Sequence, residues 1–175
     1  MMNRINIEVF KETIEKGKKD SSSYLKTLAI EGTWRLDDNS GPQFETKLKT
    51  ENAGEVLVQS DETVILGGGG TAPNPVQYCI GGLLACYSAT YVKWASMKGV
   101  SLKTFKIKST ANMDLSPALG LTDNPPLNNL RIELEIESEA SLEKLLEINE
   151  IVKKRCPGYY CLTHGIIPQI DIKKN

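Results

Sequence analysis

The chain has 175 residues, 40% of them hydrophobic, enough to bury a core as one domain or one domain with an added arm. Lys and Arg number 21 against 22 Asp and Glu, a balance that gives no electrostatic basis for binding nucleic acid or an anionic membrane. There is no apolar run long enough to span a bilayer, the first residues lack a signal-peptide core, and four cysteines in a chain of this length do not make a disulfide scaffold. The expectation is a soluble cytoplasmic protein whose cysteines serve packing, metal binding or redox chemistry.

In chain order, residues 5–18 place Ile5, Val9, Phe10 and Ile14 at helical spacing, a short amphipathic helix. A polar linker follows, so residues 1–23 read as an arm ahead of a main domain over 24–175. Residues 24–36 read as a long strand carrying Leu25, Leu28, Ile30 and Trp34. Asp37, Asp38, Asn39, Ser40, Gly41 and Pro42 are dense in turn formers. Phe44, Thr46, Leu48 and Thr50 then alternate with Glu45, Lys47 and Lys49, a half-exposed strand of period two. A turn at Asn52, Ala53 and Gly54 leads to a third strand over 55–59. The opening is thus an antiparallel meander.

Four glycines at 67–70, with Pro73 and Pro75 close behind, form a loop that no strand continues through. Asn74 suits an N-cap and Pro75 the first helical turn. From there to about Lys98, Ile80, Leu83, Leu84, Tyr87, Tyr91, Trp94 and Ala95 recur at spacings of three and four, and Gly99 stops the helix. It carries almost no charge before Lys93, so its first four turns are expected to be buried. Gly81 and Gly82 in mid-helix cost about 1 kcal/mol each relative to alanine, which makes sense if another backbone packs there.

Beyond Gly99, residues 102–113 read as a strand and 115–129 as a loop long enough to suggest function. Leu130, Ile132, Leu134 and Ile136 alternate with Arg131, Glu133, Glu135 and Glu137 in another strand. Ser141 can cap a second long helix that buries Leu142, Leu145, Leu146, Ile148 and Val152 and ends in Lys153, Lys154 and Arg155, cations suited to a helix C-terminus. Cys156, Pro157 and Gly158 break it, and residues 167–173 read as a closing strand. Strand runs with two separate long helices indicate an α+β fold with a mostly antiparallel sheet.

Most motif readings fail on context. The glycine loop lacks a βαβ unit for a dinucleotide and the Lys-Ser/Thr ending for a phosphate. His164, the one histidine, lies in a Gly/Pro-flanked turn and reads as structural or solvent-facing. Cysteines at 79, 86, 156 and 161 do not have the tight spacing of structural zinc sites, so neither a metal nor a cofactor is expected. Thiol chemistry remains. Free cysteine commonly packs as a small hydrophobe, and Cys79 and Cys161 are read that way. Cys86 differs because it lies just past the paired glycines, where a second segment has room to approach. Cys156 differs because it ends a helix beside three cations, which favour a thiolate while the helix C-terminus opposes one. Spacing alone does not pair residues seventy positions apart.

The glycine loop, Asn74-Pro75, the segment Leu83-Leu84-Ala85-Cys86, Ala95, Gly99, Met113-Asp114, the alternating strand over 130–136, the helix after Ser141 and Cys156-Pro157 together resemble the OsmC/Ohr family, the osmotically inducible and organic hydroperoxide resistance proteins. The resemblance covers about residues 25–173. It implies an OsmC-like fold of antiparallel sheets and two main helices, assembled as an intertwined homodimer with its sites at the interface. It also implies a cysteine-based peroxidase. Cys86 would attack an organic hydroperoxide, Cys156 would condense with the resulting sulfenic acid to form a disulfide, and a dithiol reductant, often a lipoylated protein, would reopen it. An alternative within the same fold is a non-catalytic dimer that binds a small apolar ligand at its interface.

One feature departs from the pattern. The family usually has a glutamate directly after the proline, helping to hold an arginine against the reactive thiolate, whereas this chain has Val76 followed by Gln77. Arg35 is the sole arginine of the early strands, with Lys47 and Lys49 nearer in spacing. A mid-helix cysteine without a cation is expected to remain largely protonated at neutral pH and to react slowly.

Overall fold

The structure, a computed structural model, describes residues 1–36 and 40–174. It forms two compact units, each built from separate stretches of chain. One comprises Lys11–Gly81 and Ser109–Ile132, the other Met1–Phe10, Gly82–Lys108 and the chain from Glu133 onward.

The first unit holds a three-stranded antiparallel sheet in the order β1 (Gly32–Trp34), β2 (Phe44–Lys49), β3 (Glu55–Ser60). Trp34 pairs with Phe44, Phe44 with Ser60 and Lys49 with Glu55. Alternation in β2 and the turn at Gly54 (φ 73°) fix this register, and the Thr50 amide donates to the Gly54 carbonyl across the turn. The strand expected over 24–36 shrinks to three residues. Ser22–Tyr24 is instead a 3-10 turn, and 25–31 has no regular structure. Leu25, Leu28 and Ile30 are exposed, so none of the described residues covers the face that would hold a longer strand in register. Of the turn formers expected after it, Asp37, Asp38 and Asn39 lie outside the described residues.

Asp61, at the end of β3, organises the glycine loop. It is 1% exposed, and its carboxylate accepts hydrogen bonds from the Thr71 amide (2.9 Å), the Thr71 hydroxyl (2.8 Å) and the Glu62 amide (3.0 Å). These bonds hold the carboxyl below the usual carboxylate range, led by the Thr71 amide. The Ser60 hydroxyl donates to the Pro73 carbonyl at 2.9 Å, carrying the loop to the start of α2 (Pro75–Met97). There the expected Asn74 cap is closed on both sides. The Gln77 amide donates to Asn74 Oδ1, and the Asn74 amide donates to Gln77 Oε1, each at 2.9 Å. This is a capping box with Gln77 as its third residue.

Burial along α2 starts later than its composition suggests. Tyr78, Cys79, Gly81 and Gly82 are exposed, and full burial begins at Leu83 and continues through Tyr87, Thr90, Tyr91, Ala95 and Ser96. A Cβ added at Gly81 or Gly82 meets no atom within 4 Å, so no described segment of this chain packs on the paired glycines.

The second unit is organised on the buried part of α2. Its core is Tyr87, Tyr91, Ala95 and Val100 against Ile148, Val152 and Cys156, with Phe105, Ile107, Leu134 and Ile136 packed against it. The last four come from a hairpin of β4 (Thr104–Met113) and β5 (Leu127–Glu137). Lys103 to Glu137 and Asp114 to Pro126 backbone bonds bracket it as antiparallel. The loop between these strands is ordered at its start by Asp114, which accepts from the Ser116 amide and hydroxyl. The second long helix is α3 (Leu142–Arg155), capped by Ser141, whose side chain accepts from the Lys144 amide. At the other end of the chain, α1 (Ile7–Lys19) sets Phe10 edge-on to Trp94 of α2.

Two C-terminal elements differ from the sequence reading. Pro157 does stop α3, but it also opens a further helix, α4 (Pro157–Thr163), because a proline that ends one helix suits the first position of the next. The strand expected over 167–173 does not form; residues 166–174 have neither helix nor strand, and Ile167, Ile170 and Ile172 are exposed. The class is α+β, with four α-helices and small antiparallel sheets among the described residues.

Replacing Asp61 tests the loop. A depressed folded-state pKa contributes stability that is fully present above the unfolded value near 4 and is lost as pH falls through the folded value. Asp61→Asn is expected to lower the Tm by several degrees at pH 7, with the gap to wild type closing below about pH 4. Thermal melts across that range check it.

Candidate active site

Two hydrogen bonds lock α3 onto α2. The Tyr87 hydroxyl donates to Asn149 Oδ1 at 2.8 Å, and the Tyr91 hydroxyl donates to the Leu145 carbonyl at 2.9 Å. Burial pushes both phenols up to about 12, so they remain neutral donors through the physiological range. Ile148 and Val152, both fully buried, fill the space between these anchors. Each such aliphatic side chain contributes about 2 kcal/mol of burial. The helix therefore meets α2 in one register, and its end delivers Cys156 beside Cys86.

The two thiols named from the sequence are brought together across seventy residues. Cys156 Sγ lies 3.5 Å from Cys86 Sγ and donates to it. Cys156 is 1% exposed; Cys86 is half-buried. A disulfide needs about 2.05 Å between sulfurs, so a small side-chain movement closes the gap.

Cys156 occupies a junction that its position after α3 did not reveal. Its amide donates to the Val152 carbonyl, ending α3, while its sulfur accepts from the Tyr159 amide at 3.4 Å, capping α4. The Gly158 amide donates to Cys86 Sγ, also at 3.4 Å. Both sulfurs thus face backbone N–H groups of a helix start, which favour negative charge, rather than only the carbonyl end of α3.

Gly158 is what permits this approach. A Cβ there would stand 3.1 Å from Cys86 Cβ, 3.3 Å from its sulfur and 3.6 Å from the Leu83 Cα. The close backbone contact anticipated at Gly81 and Gly82 therefore exists one turn further along α2, and the glycine that allows it belongs to the other segment. In the sequence Gly158 is visible only as part of a helix stop.

Burial is the leading influence on Cys86 and pushes its thiol up; the Gly158 amide opposes this, the neighbouring Cys156 adds to it, and Lys93 opposes it. The neighbouring thiol thus acts in the same direction as burial and disfavours the Cys86 thiolate. Gln77 is committed to the capping box and so to its own helix. Arg35, Lys47 and Lys49 belong to the unit containing β1–β3, where the Arg35 guanidinium donates to the Pro42 carbonyl. Lys93, two turns further along α2, is the least of the influences on the thiol; the sequence reading used it only to mark the end of the uncharged stretch.

Cys79 and Cys161 are both exposed, contrary to the expectation that they fill a core. His164 ends α4, with its ring stacked on Tyr160 at 4.1 Å. Among the described residues no group of three or more His, Cys, Asp or Glu side chains is placed to hold a metal ion, and no helix is long and apolar enough to cross a membrane.

The sequence matches the model of the OsmC-like protein family over residues 67–171, from the glycine loop into the C-terminal segment. No curated protein matches the chain. Among solved structures, an OsmC-like protein from Mycoplasma pneumoniae superposes with a TM-score of 0.58 at 20% identity, over 80% of this chain and 89% of the other. An organic hydroperoxide resistance protein OsmC from Legionella pneumophila gives 0.55 at 16% identity, over 80% and 93%. An OsmC-like protein of unknown function from Vibrio cholerae gives 0.55 at 10% identity, over 79% and 95%. At these identities the likeness is one of fold. With the family match running through the glycine loop, the central helix, the hairpin and both thiols, the chain belongs to the OsmC-like protein family.

Proposed function

We propose that the protein is a thiol-dependent peroxidase that reduces organic hydroperoxides through Cys86 and Cys156. The observation that carries this reading is the pair of sulfurs 3.5 Å apart with a backbone N–H donated to Cys86. Membership of a family with hydroperoxide-resistance proteins among its structural neighbours supports a peroxide-related role.

The Cys86 thiolate attacks the terminal oxygen of the hydroperoxide. The O–O bond breaks, its electron pair leaves with the alkoxide, which takes a proton to become an alcohol, and the sulfur becomes a sulfenic acid. The Cys156 sulfur then displaces the sulfenic oxygen as water, forming the Cys86–Cys156 disulfide. Two electrons and two protons from a dithiol reductant, often a lipoylated protein in the family that the sequence resembles, restore the thiols. Cys86 is half-buried and the more accessible of the two, which suits attack on substrate, while buried Cys156 suits the resolving role.

Assembly as a homodimer belongs to the same proposal. It is supported by apolar surface in both units: Leu25, Leu28 and Ile30 in one, and Ile167, Ile170 and Ile172 in the other, are exposed in the single chain.

Steady-state consumption of cumene hydroperoxide with dihydrolipoamide tests the activity. Cys86→Ser is expected to abolish turnover. Cys156→Ser is expected to leave the first oxidation intact and let Cys86 proceed to sulfinic acid, seen by mass as two added oxygens. Turnover that survives Cys86→Ser overturns the reading.

The pH dependence follows from burial raising the Cys86 thiol. The reactive thiolate is a minor form at neutral pH, so the oxidation rate is expected to climb with pH from 6 to 8 in stopped-flow mixing. Gly158→Ala crowds Cys86 and moves the donated amide off the sulfur. It is expected to slow oxidation about fivefold at pH 7, the equivalent of roughly 1 kcal/mol of lost hydrogen bonding to the charged form.

A further inference from the structure

The first turn of α4 is held by the sulfurs of the thiol pair. A helix start leaves its N–H groups without partners inside the helix. Pro157 has no N–H to place, and the Tyr160 amide donates to the Cys156 carbonyl at 3.0 Å. The amides of Gly158 and Tyr159 donate to Cys86 Sγ and Cys156 Sγ respectively, each at 3.4 Å. One sulfur of the pair thus serves each of the two remaining donors.

The helix has little stability of its own. It runs for seven residues, none of them buried, whereas an isolated helix is marginal below about twelve. Gly158, Tyr159, Tyr160 and Thr163 all rank well below alanine as helix formers. Tyr160, Cys161 and Leu162 are exposed, as is the chain that follows to residue 174. Its inward side chain is the half-buried Tyr159, whose ring lies 5.9 Å from that of Tyr87. A segment of this kind sits at the low end of local stability, so the caps on its first turn count for much of it.

Oxidation moves the atoms that provide those caps. Joining the pair brings the sulfurs from 3.5 Å to about 2.05 Å, so each shifts off the position from which it accepts. A disulfide sulfur also cannot carry the negative charge that makes a thiolate a strong acceptor. The start of α4 has little room to follow, because a Cβ on Gly158 would already stand 3.1 Å from Cys86 Cβ. By contrast, α3 is anchored through Tyr87 and Tyr91 to Asn149 and the Leu145 carbonyl, bonds in which neither sulfur takes part.

We propose that α4 is a redox-sensitive element, seated while Cys86 and Cys156 are reduced and loosened from its first turn when their sulfurs join. Two thiols cap two donors, and one oxidation event withdraws both caps at once. The oxidised protein then presents an open turn beside its disulfide, where a dithiol reductant is admitted, and reduction reseats the helix. The bistable element is the short helix, and the chemical change that biases it is the bond between its two capping atoms.

The proposal rests on the reading of Cys86 and Cys156 as the pair that oxidises, and its test uses no peroxide, so the two can fail separately. Hydrogen–deuterium exchange is followed by mass spectrometry in the full-length protein carrying Cys79→Ser and Cys161→Ser, which leaves the pair as its only thiols. Diamide takes two electrons and two protons from the thiols, is itself reduced to the hydrazine, and leaves the Cys86–Cys156 disulfide, which peptide mapping verifies. Amides of residues 158–164 are expected to exchange about tenfold faster in the disulfide form, while those of 145–152 in α3 do not speed up. In the reduced state Cys156→Ala, which removes one cap, is expected to speed exchange over 158–164. Cys156→Ser, whose hydroxyl also caps, is expected to keep it slow. Unchanged or slower exchange over 158–164 in the disulfide form, equal acceleration in α3, or failure of diamide to join the pair overturns the proposal. So does wild-type protection in Cys156→Ala, or a Cys156→Ser protein that exchanges like Cys156→Ala. If exchange follows the expected pattern while cumene hydroperoxide is not consumed, the switch stands and the peroxidase reading falls.

Discussion

The site depends on the seating of α3 on α2. Ile148 and Val152 are completely buried against a helix face that presents Tyr87, Tyr91 and Ala95, and the two tyrosine hydroxyls fix the register by reaching Asn149 and the Leu145 carbonyl. Apolar burial supplies the free energy, while the buried phenols, which must find acceptors, supply the uniqueness. Only with that seating does the end of α3 reach Cys86. The thiol pair is in this sense a product of helix packing, and its sulfur–sulfur distance reports on the core beneath it.

The chemistry at that point is set by a contest between burial and nearby polar groups. Removing Cys86 from water disfavours its thiolate, and the neighbouring thiol disfavours it further. Against this stand the Gly158 amide, which donates to the sulfur, and, least of the influences, Lys93. Neither corresponds to the glutamate–arginine arrangement implied by the family resemblance, which Val76 leaves incomplete. A backbone donor at the start of α4 requires a residue without a side chain at 158, which links the identity of one glycine to the reactivity of a cysteine seventy-two positions away.

Much of the scaffold was legible from residue order. The cap at Asn74, the extent of the central helix, the alternating strand through Leu134 and Ile136, and the Ser141 start of α3 all depend on local chemistry, and the structure shows each in place. What was not legible depends on contacts beyond the local window. A strand over 24–36 has the right composition, but strands require partners, and β2 offers Gly32–Trp34 only three. The first turns of α2 are apolar yet exposed, since composition indicates what burial is possible and not which surface performs it. Pro157 reads equally well as a stop and as a start, and only the structure shows that it is both. Cys86 and Cys156 were singled out by position, but their meeting follows from tertiary packing, and Gly158 has no local signature for what it does.

The most direct test is to treat the reduced protein with one equivalent of cumene hydroperoxide and analyse it without reductant, first as intact mass and then by peptide mapping. The account predicts a loss of two hydrogens within minutes and a single dominant disulfide joining Cys86 to Cys156. Unchanged thiols, or a dominant disulfide that includes Cys79 or Cys161, would contradict it.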